Sequence, residues 1–215
     1  MFYRHPSADM LFTPRDVNVE AIHRAKLLHF GSISLISEPP RGATLYAVDA
    51  ARAAGGLVSY DPNLRLPLWL DADAAREGML LGLRKAQLVK LSDDESAFLT
   101  GLNDVRAACR ALWHQDLKLM VVTRGRTGCT YVTPDFFGEV PSFTVEAVDA
   151  TGAGDGFVAG LLQGLLADPT LIRDEARLRE LCRFANAVGA LATTQRGAIP
   201  ALPDRTRVLE FLRGQ

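Results

Sequence analysis

Thr151-Gly152-Ala153-Gly154-Asp155 brings small residues, a hydroxyl and a carboxylate to the point where an apolar helical pattern begins. Phe157, Leu161 and Leu165 recur at four-residue spacing, with Val158, Leu162 and Leu166 beside them, as in a buried helix. The first N–H groups of a helix lack internal partners, and the macrodipole adds partial positive charge there. A glycine-rich entry lets a ligand come close to that end, which suits phosphate. Asp155 would repel a phosphate, unless it takes a proton from a group attacking it. Alternatively Asp155 only complements the dipole and Thr151 only caps, but that reading leaves the flanking glycines unexplained. A general base beside an anion hole accounts for both.

The same stretch, with Asp149 and Ala150 before it, resembles the D-T-G-A-G-D signature of the ribokinase-like (pfkB-type) sugar kinases. Ala150 is inserted after the first Asp, as in the fructokinase branch. The resemblance implies that Gly152, Ala153 and Gly154 line an anion hole for the transferred phosphoryl group, with Asp155 as base. It also implies a three-layer α/β fold with a mostly parallel central sheet.

The elements that must position these residues alternate. Thr13-Pro14 opens a short helix to about residue 24, and 26–34 reads as a buried strand. An Ala-rich helix over 41–54 stops at Gly55-Gly56, and 57–60 is a short apolar strand. Helix 71–86, strand 87–91, a helix through Leu99, helix 104–114 and strand 117–122 follow. Beyond them come strands 129–133 and 136–145, helix 178–192 and a terminal helix 204–213. Such alternation argues for a doubly wound, parallel sheet.

Two loops lie at expected strand ends, where such sheets bind ligands. In Asp61-Pro62-Asn63-Leu64-Arg65, Asn63 and Arg65 supply an amide and a guanidinium suited to phosphate, although Asp-Pro-Asn is also an ordinary turn. The run matches the fructokinase segment D-P-N-x-R-x-x-L-W, which implies that both residues lie by the phosphates or the sugar. Thr123-Arg124-Gly125-Arg126-Thr127-Gly128 lacks the spacing and the Lys-Ser/Thr pair of a Walker A loop and by itself reads as a hairpin turn. The family's T-x-G-x-x-G turn borders the nucleotide, implying that role for Thr123, Gly125 and Gly128, with Arg124 a further candidate.

Ser92 and Glu95 form a capping box. Glu95 also falls on the family's N-x-x-E motif, Ser92 replacing the Asn, and the resemblance places it near Mg2+. Asn186 interrupts an apolar stripe, and its amide must find a partner, either an adenine edge or a neighbouring loop. The match of Arg183–Leu191 to the family's R-F-A-N-A-x-G-A-L run favours adenine.

Composition excludes much else. Lys and Arg number 24 against 25 Asp and Glu, giving no reason to expect nucleic acid or an anionic membrane. No apolar run is long enough to span a bilayer, and the start lacks the apolar core of a signal peptide. Cys109, Cys129 and Cys182, each in an apolar stretch, read as buried thiols in a reducing compartment, so a cytoplasmic protein is expected. The four His residues show no metal-ligand spacing.

The resemblance covers all 215 residues as one ribokinase-like domain. Phe2–Met10 resembles an internal part of fructokinases, so the chain looks like the C-terminal majority of such an enzyme, without its first strands and β lid. Tyr3 and Arg4 are then substrate-side candidates. What the resemblance implies is ATP-dependent phosphorylation of a sugar hydroxyl, fructose first, with Mg2+ and K+ as candidate ions and a homodimer as candidate assembly. Two alternatives stay open: a 2-keto-3-deoxygluconate kinase, and a nucleotide-binding module without catalysis. On this reading the chain alone should bind ATP–Mg2+ weakly, transfer little phosphate and tend to dimerise or aggregate through an open sheet edge.

Overall fold

The computed structural model describes residues 7–215. The chain divides into two compact units, Met1–Met120 and Val121–Gln215.

The first unit alternates helix and strand. The helix expected over 13–24 is interrupted. Thr13 and Asp16 satisfy each other across a 3-10 turn, Pro14–Asp16, Val17 is extended, and Asn18 caps a separate helix α1 (Val19–Arg24). Strand β1 (Leu27–Phe30) stops sooner than its apolar run, because Ser32 gives its N–H to the Pro62 carbonyl and a 3-10 turn, Ile33–Leu35, follows. Helix α2 (Pro40–Ala53), β2 (Leu57–Tyr60), α3 (Ala72–Lys85) and β3 (Leu88–Ser92) lie near their expected bounds. β1, β2 and β3 pair in parallel, with Leu27 opposite Leu57 and Tyr60 opposite Val89. Parallel pairing needs crossovers, here α2 and α3, and it carries the segments after Phe30, Tyr60 and Ser92 to one edge of the sheet. Leu35, Val58, Tyr60, Met79 and Leu91 are fully buried beneath that edge. Helix α4 (Asp93–Thr100) starts at the Ser92–Glu95 capping box and ends at left-handed Gly101. Asp104 caps α5 (Val105–Leu112).

Strand β4 (Leu119–Thr123) leads from the first unit into the second. There β5 (Cys129–Val132) and β6 (Phe137–Val140) form an antiparallel hairpin, Cys129 opposite Val140. The strand expected over 136–145 ends at Val140. Pro141 has no N–H to continue a ladder, and the Asn186 amide holds the Val140 and Pro141 carbonyls instead. Helix α6 (Ala153–Ala167) packs on α7 (Glu175–Ala192), and α8 (Ala198–Ala201) and α9 (Arg205–Arg213) complete the unit. Ala187, Val188, Leu191 and Val208 form a core against which Phe143 and Phe211 pack. Cys109, Cys129 and Cys182 are buried free thiols. Among the described residues no helix is long and apolar enough to cross a membrane.

Candidate active site

Asp149 organises the turn that precedes α6. Its Oδ1 accepts hydrogen bonds from the Thr151 N–H at 2.9 Å and the Thr151 hydroxyl at 2.6 Å, and its Oδ2 accepts from the Gly197 N–H at 3.1 Å. These bonds, the Thr151 hydroxyl foremost, hold its carboxyl down at about 2, and the Arg196 charge adds to them. Thr151 therefore serves Asp149 and does not cap the helix. The cap is Gly152, left-handed at φ 83°, and no side chain bonds to the helix start. A Cβ on Gly152 would stand 3.0 Å from Ala198 Cα, so both space and backbone conformation demand glycine. The Ala153 N–H donates to the Ala150 carbonyl at 3.2 Å. Ala153 nonetheless borders the cavity beside this turn, together with Gly154. Asp155, third in α6, is exposed.

Beside this turn the second unit holds a cavity of about 420 Å3. Thr123, Gly125, Gly128, Ala153, Gly154 and Asn186 line it, so one concavity gathers most of the residues singled out in this half. Gly152 and Asp155 are not among its walls. Gly128, at φ 105°, abuts the Val140 carbonyl so closely that no side chain fits. Asn186, 5% exposed, gives its amide to the Val140 and Pro141 carbonyls at 3.1 Å each. The neighbouring-segment alternative for Asn186 is thus realised, while the residue still borders the cavity. Arg124 pairs with Glu139 at 3.1 Å, and Arg126 takes the cavity position. Sequence reasoning missed Phe143, Val145 and Ala147, which form an apolar wall after β6. Phe143 and Val145 sit in the stretch taken for a strand and Ala147 just beyond it, and irregular backbone leaves no periodicity to find.

In the first unit a second polar group follows β2. Asn63 takes a left-handed backbone, φ 52°, and its Nδ2 donates to Asp61 Oδ2 at 3.3 Å. Glu95 is buried, and both its oxygens are in use. Oε1 accepts from the Leu64 N–H and Oε2 from the Ser92 N–H, each at 2.8 Å. The structure therefore brings Asn63 and Glu95 to one place but gives Glu95 a backbone-holding task. Among the described residues no three His, Cys, Asp or Glu side chains gather into a metal cluster. Arg65 is exposed and donates to the Leu64 carbonyl at 3.0 Å. Buried Asp61 and Lys90, paired at 3.3 Å, were not singled out in the sequence. A lysine inside an apolar strand was the available signal. Tyr3 and Arg4 lie outside the described residues.

Parallel strands alternating with helices in the first unit, and a glycine-capped helix entry with a carboxylate in its first turn in the second, define an α/β protein. The chain belongs to the pfkB family of carbohydrate kinases, whose model matches residues 1–205. It is 52% identical over 218 residues to probable fructokinase-3 of Arabidopsis thaliana, a match covering 100% of this chain and 63% of that protein. The chain thus spans less than two thirds of that relative's length. The fructokinase of Xylella fastidiosa with bound ATP superposes with a TM-score of 0.92 at 33% identity, over 100% of this chain and 70% of that one. A fructokinase double mutant of Vibrio cholerae O395, bound to fructose, ADP and potassium ion, gives a TM-score of 0.89 at 35% identity over 96% and 66%.

Proposed function

We propose that this chain carries the phosphoryl-transfer machinery of an ATP-dependent fructose kinase. The observation that carries the reading is the entry of α6, a left-handed glycine cap without a side-chain partner, with Asp155 in the first turn and a cavity alongside. In the reaction a fructose hydroxyl oxygen bonds to the γ-phosphorus, the bond to the β-phosphate bridging oxygen breaks, and ADP leaves. Asp155 accepts the hydroxyl proton, a role worth about 10²–10⁴ in rate. The Gly152 and Gly154 amides and the helix dipole meet the charge on the transferring group.

Thr123, Gly125 and Gly128 border the nucleotide, whose base takes the apolar cavity, and Asn186 shapes that wall by holding residues 140–141. Asn63 and Arg65 serve the phosphate or sugar side. Mg2+ would arrive on the nucleotide phosphates, as it commonly does, and neutralise their charge there. Glu95 is the carboxylate of this chain assigned to its surroundings. K+, present in the Vibrio cholerae structure, is the monovalent ion expected to assist. Three buried free thiols fit a reducing, cytoplasmic setting.

The test is phosphate transfer from ATP to fructose, glucose, ribose and 2-keto-3-deoxygluconate, followed by 31P NMR. It should use the 215-residue chain and a form carrying any upstream coding sequence. Fructose phosphate as the main product supports the reading; ATP binding without transfer to any sugar in either form overturns it.

A further inference from the structure

The cavity wall that follows β6, residues 141–147, belongs to no helix or strand. It is fastened at each end. The Asn186 amide holds the Val140 and Pro141 carbonyls, and the Val148 N–H donates to the Thr193 carbonyl at 2.7 Å. Between these anchors Phe143 is the largest side chain, half-buried and bordering the cavity. Irregular backbone has no ladder to fix the direction of a ring, so the contacts of the ring itself must do it.

Two groups meet that ring. Phe211 of α9 packs edge to face with it, centroids 5.1 Å apart and planes at 70°. The Arg183 guanidinium of α7 lies over it, 5.4 Å from its centroid. Both arrangements suit a ring with a negative face and a positive edge. Any side chain of the right volume would fill the same space. What a second ring and a cation add is direction.

α9 is itself held. Asp204 caps it, Val208 is buried with Ala187, Val188 and Leu191, and Phe211 follows Val208 by three residues on the same face. Arg207 Nη2 donates to the Thr194 hydroxyl at 3.3 Å, beside the residue that anchors the far end of the wall. Among the described residues that line the cavity, none comes from α9.

We propose that Phe211 and Arg183 are positioning residues that hold the Phe143 ring in one orientation, as a fixed part of the wall met by a nucleotide base. α9 then sets affinity for the base without touching it. The ligand half of this inference rests on the nucleotide reading above; the geometric half does not.

The test compares wild type with Phe211→Leu, Phe211→Tyr, Arg183→Gln and Arg183→Lys. Ring resonances are read in protein labelled with 13C-phenylalanine, and those of Phe143 are assigned with Phe143→Leu. Melting curves are measured alongside, with titrations of ADP and of inorganic tripolyphosphate, which carries charge and no base. Phe211→Leu keeps apolar volume and loses the ring. It should move the Phe143 resonances and weaken ADP binding about three- to tenfold, with tripolyphosphate bound as in wild type. Phe211→Tyr should restore both. Arg183→Gln should act in the same direction by a smaller factor, and Arg183→Lys should recover part of the loss. Unmoved Phe143 resonances in Phe211→Leu, or in Arg183→Gln should the former not fold, overturn the proposal. Equal weakening of both ligands also overturns it, since a loosened fold would cost each alike. Should wild type bind no ADP, the ligand half fails together with the nucleotide reading, and the Phe143 resonances alone still decide whether α9 holds the wall.

Discussion

The Asp149 carboxylate accepts a hydrogen bond from the Gly197 N–H at 3.1 Å, across a sequence separation of 48 residues. One side chain thus fastens the turn before α6 to the segment before α8. Its carboxyl is held at about 2, below the ordinary 3.8. A depressed folded value means that ionised Asp149 contributes stability fully above the unfolded value. That contribution is lost as pH falls through about 2. Urea midpoints of wild type and Asp149→Asn should differ at pH 6 and converge as pH falls through about 2. A gap that does not change with pH would mean the bonds depend on shape and not on charge.

In a form carrying any upstream coding sequence, Asp155→Asn should lower kcat with fructose by about two to four decades and leave nucleotide affinity no weaker, since on the reading proposed above a negative charge beside phosphate is removed. Steady-state rates and ATP titration calorimetry check the two halves. Near-wild-type turnover would move the proton acceptor elsewhere.

Gly152→Ala should damage the same turn by another route. A left-handed alanine costs about 1–2 kcal/mol, and the added methyl meets Ala198. The expected result is an earlier melt together with weaker nucleotide binding, because on the reading proposed above the cap backbone also meets the phosphates.

Asn186→Ala leaves two carbonyls without their donor, a loss of about 1–3 kcal/mol in buried surroundings. Chemical unfolding should show that loss, with a rise in KM for ATP that follows from a loosened wall after Val140. A raised KM with unchanged stability would instead mean that the amide touches the base directly.

Arg65→Ala should leave the melting temperature within about a degree, since an exposed loop residue seldom holds up a core, and should raise KM or lower kcat. Unchanged kinetics would remove Arg65 from the site.

Much of this was legible before the structure. The Ser92–Glu95 box, the helix starts near 71, 104 and 204, where Asp71, Asp104 and Asp204 prove to be the caps, and the α6 entry follow from local chemistry that a sequence displays. The helix break at Val17 was not, because Thr13–Asp16 and Asn18 offer two competing caps to one short segment. Nor was the end of β6, where Asn186 takes carbonyls that a strand would have used. The second task of Glu95 was hidden for the same reason, since Leu64 lies 31 residues before it. Long-range side-chain bonds to backbone leave no spacing to read.

Glu95 has one carboxylate and two backbone amides to hold, one at the start of α4 and one in the loop after β2. Because one side chain closes both, opening the first turn of that helix is expected to loosen the loop. Exchange of the Leu64 and Ser92 amide hydrogens with deuterium should therefore share one rate and one denaturant dependence, separate from those of the strands beneath. Order in the loop would then be set by how tightly a helix is wound, a dependence that a ligand bound at the loop would feed back into α4.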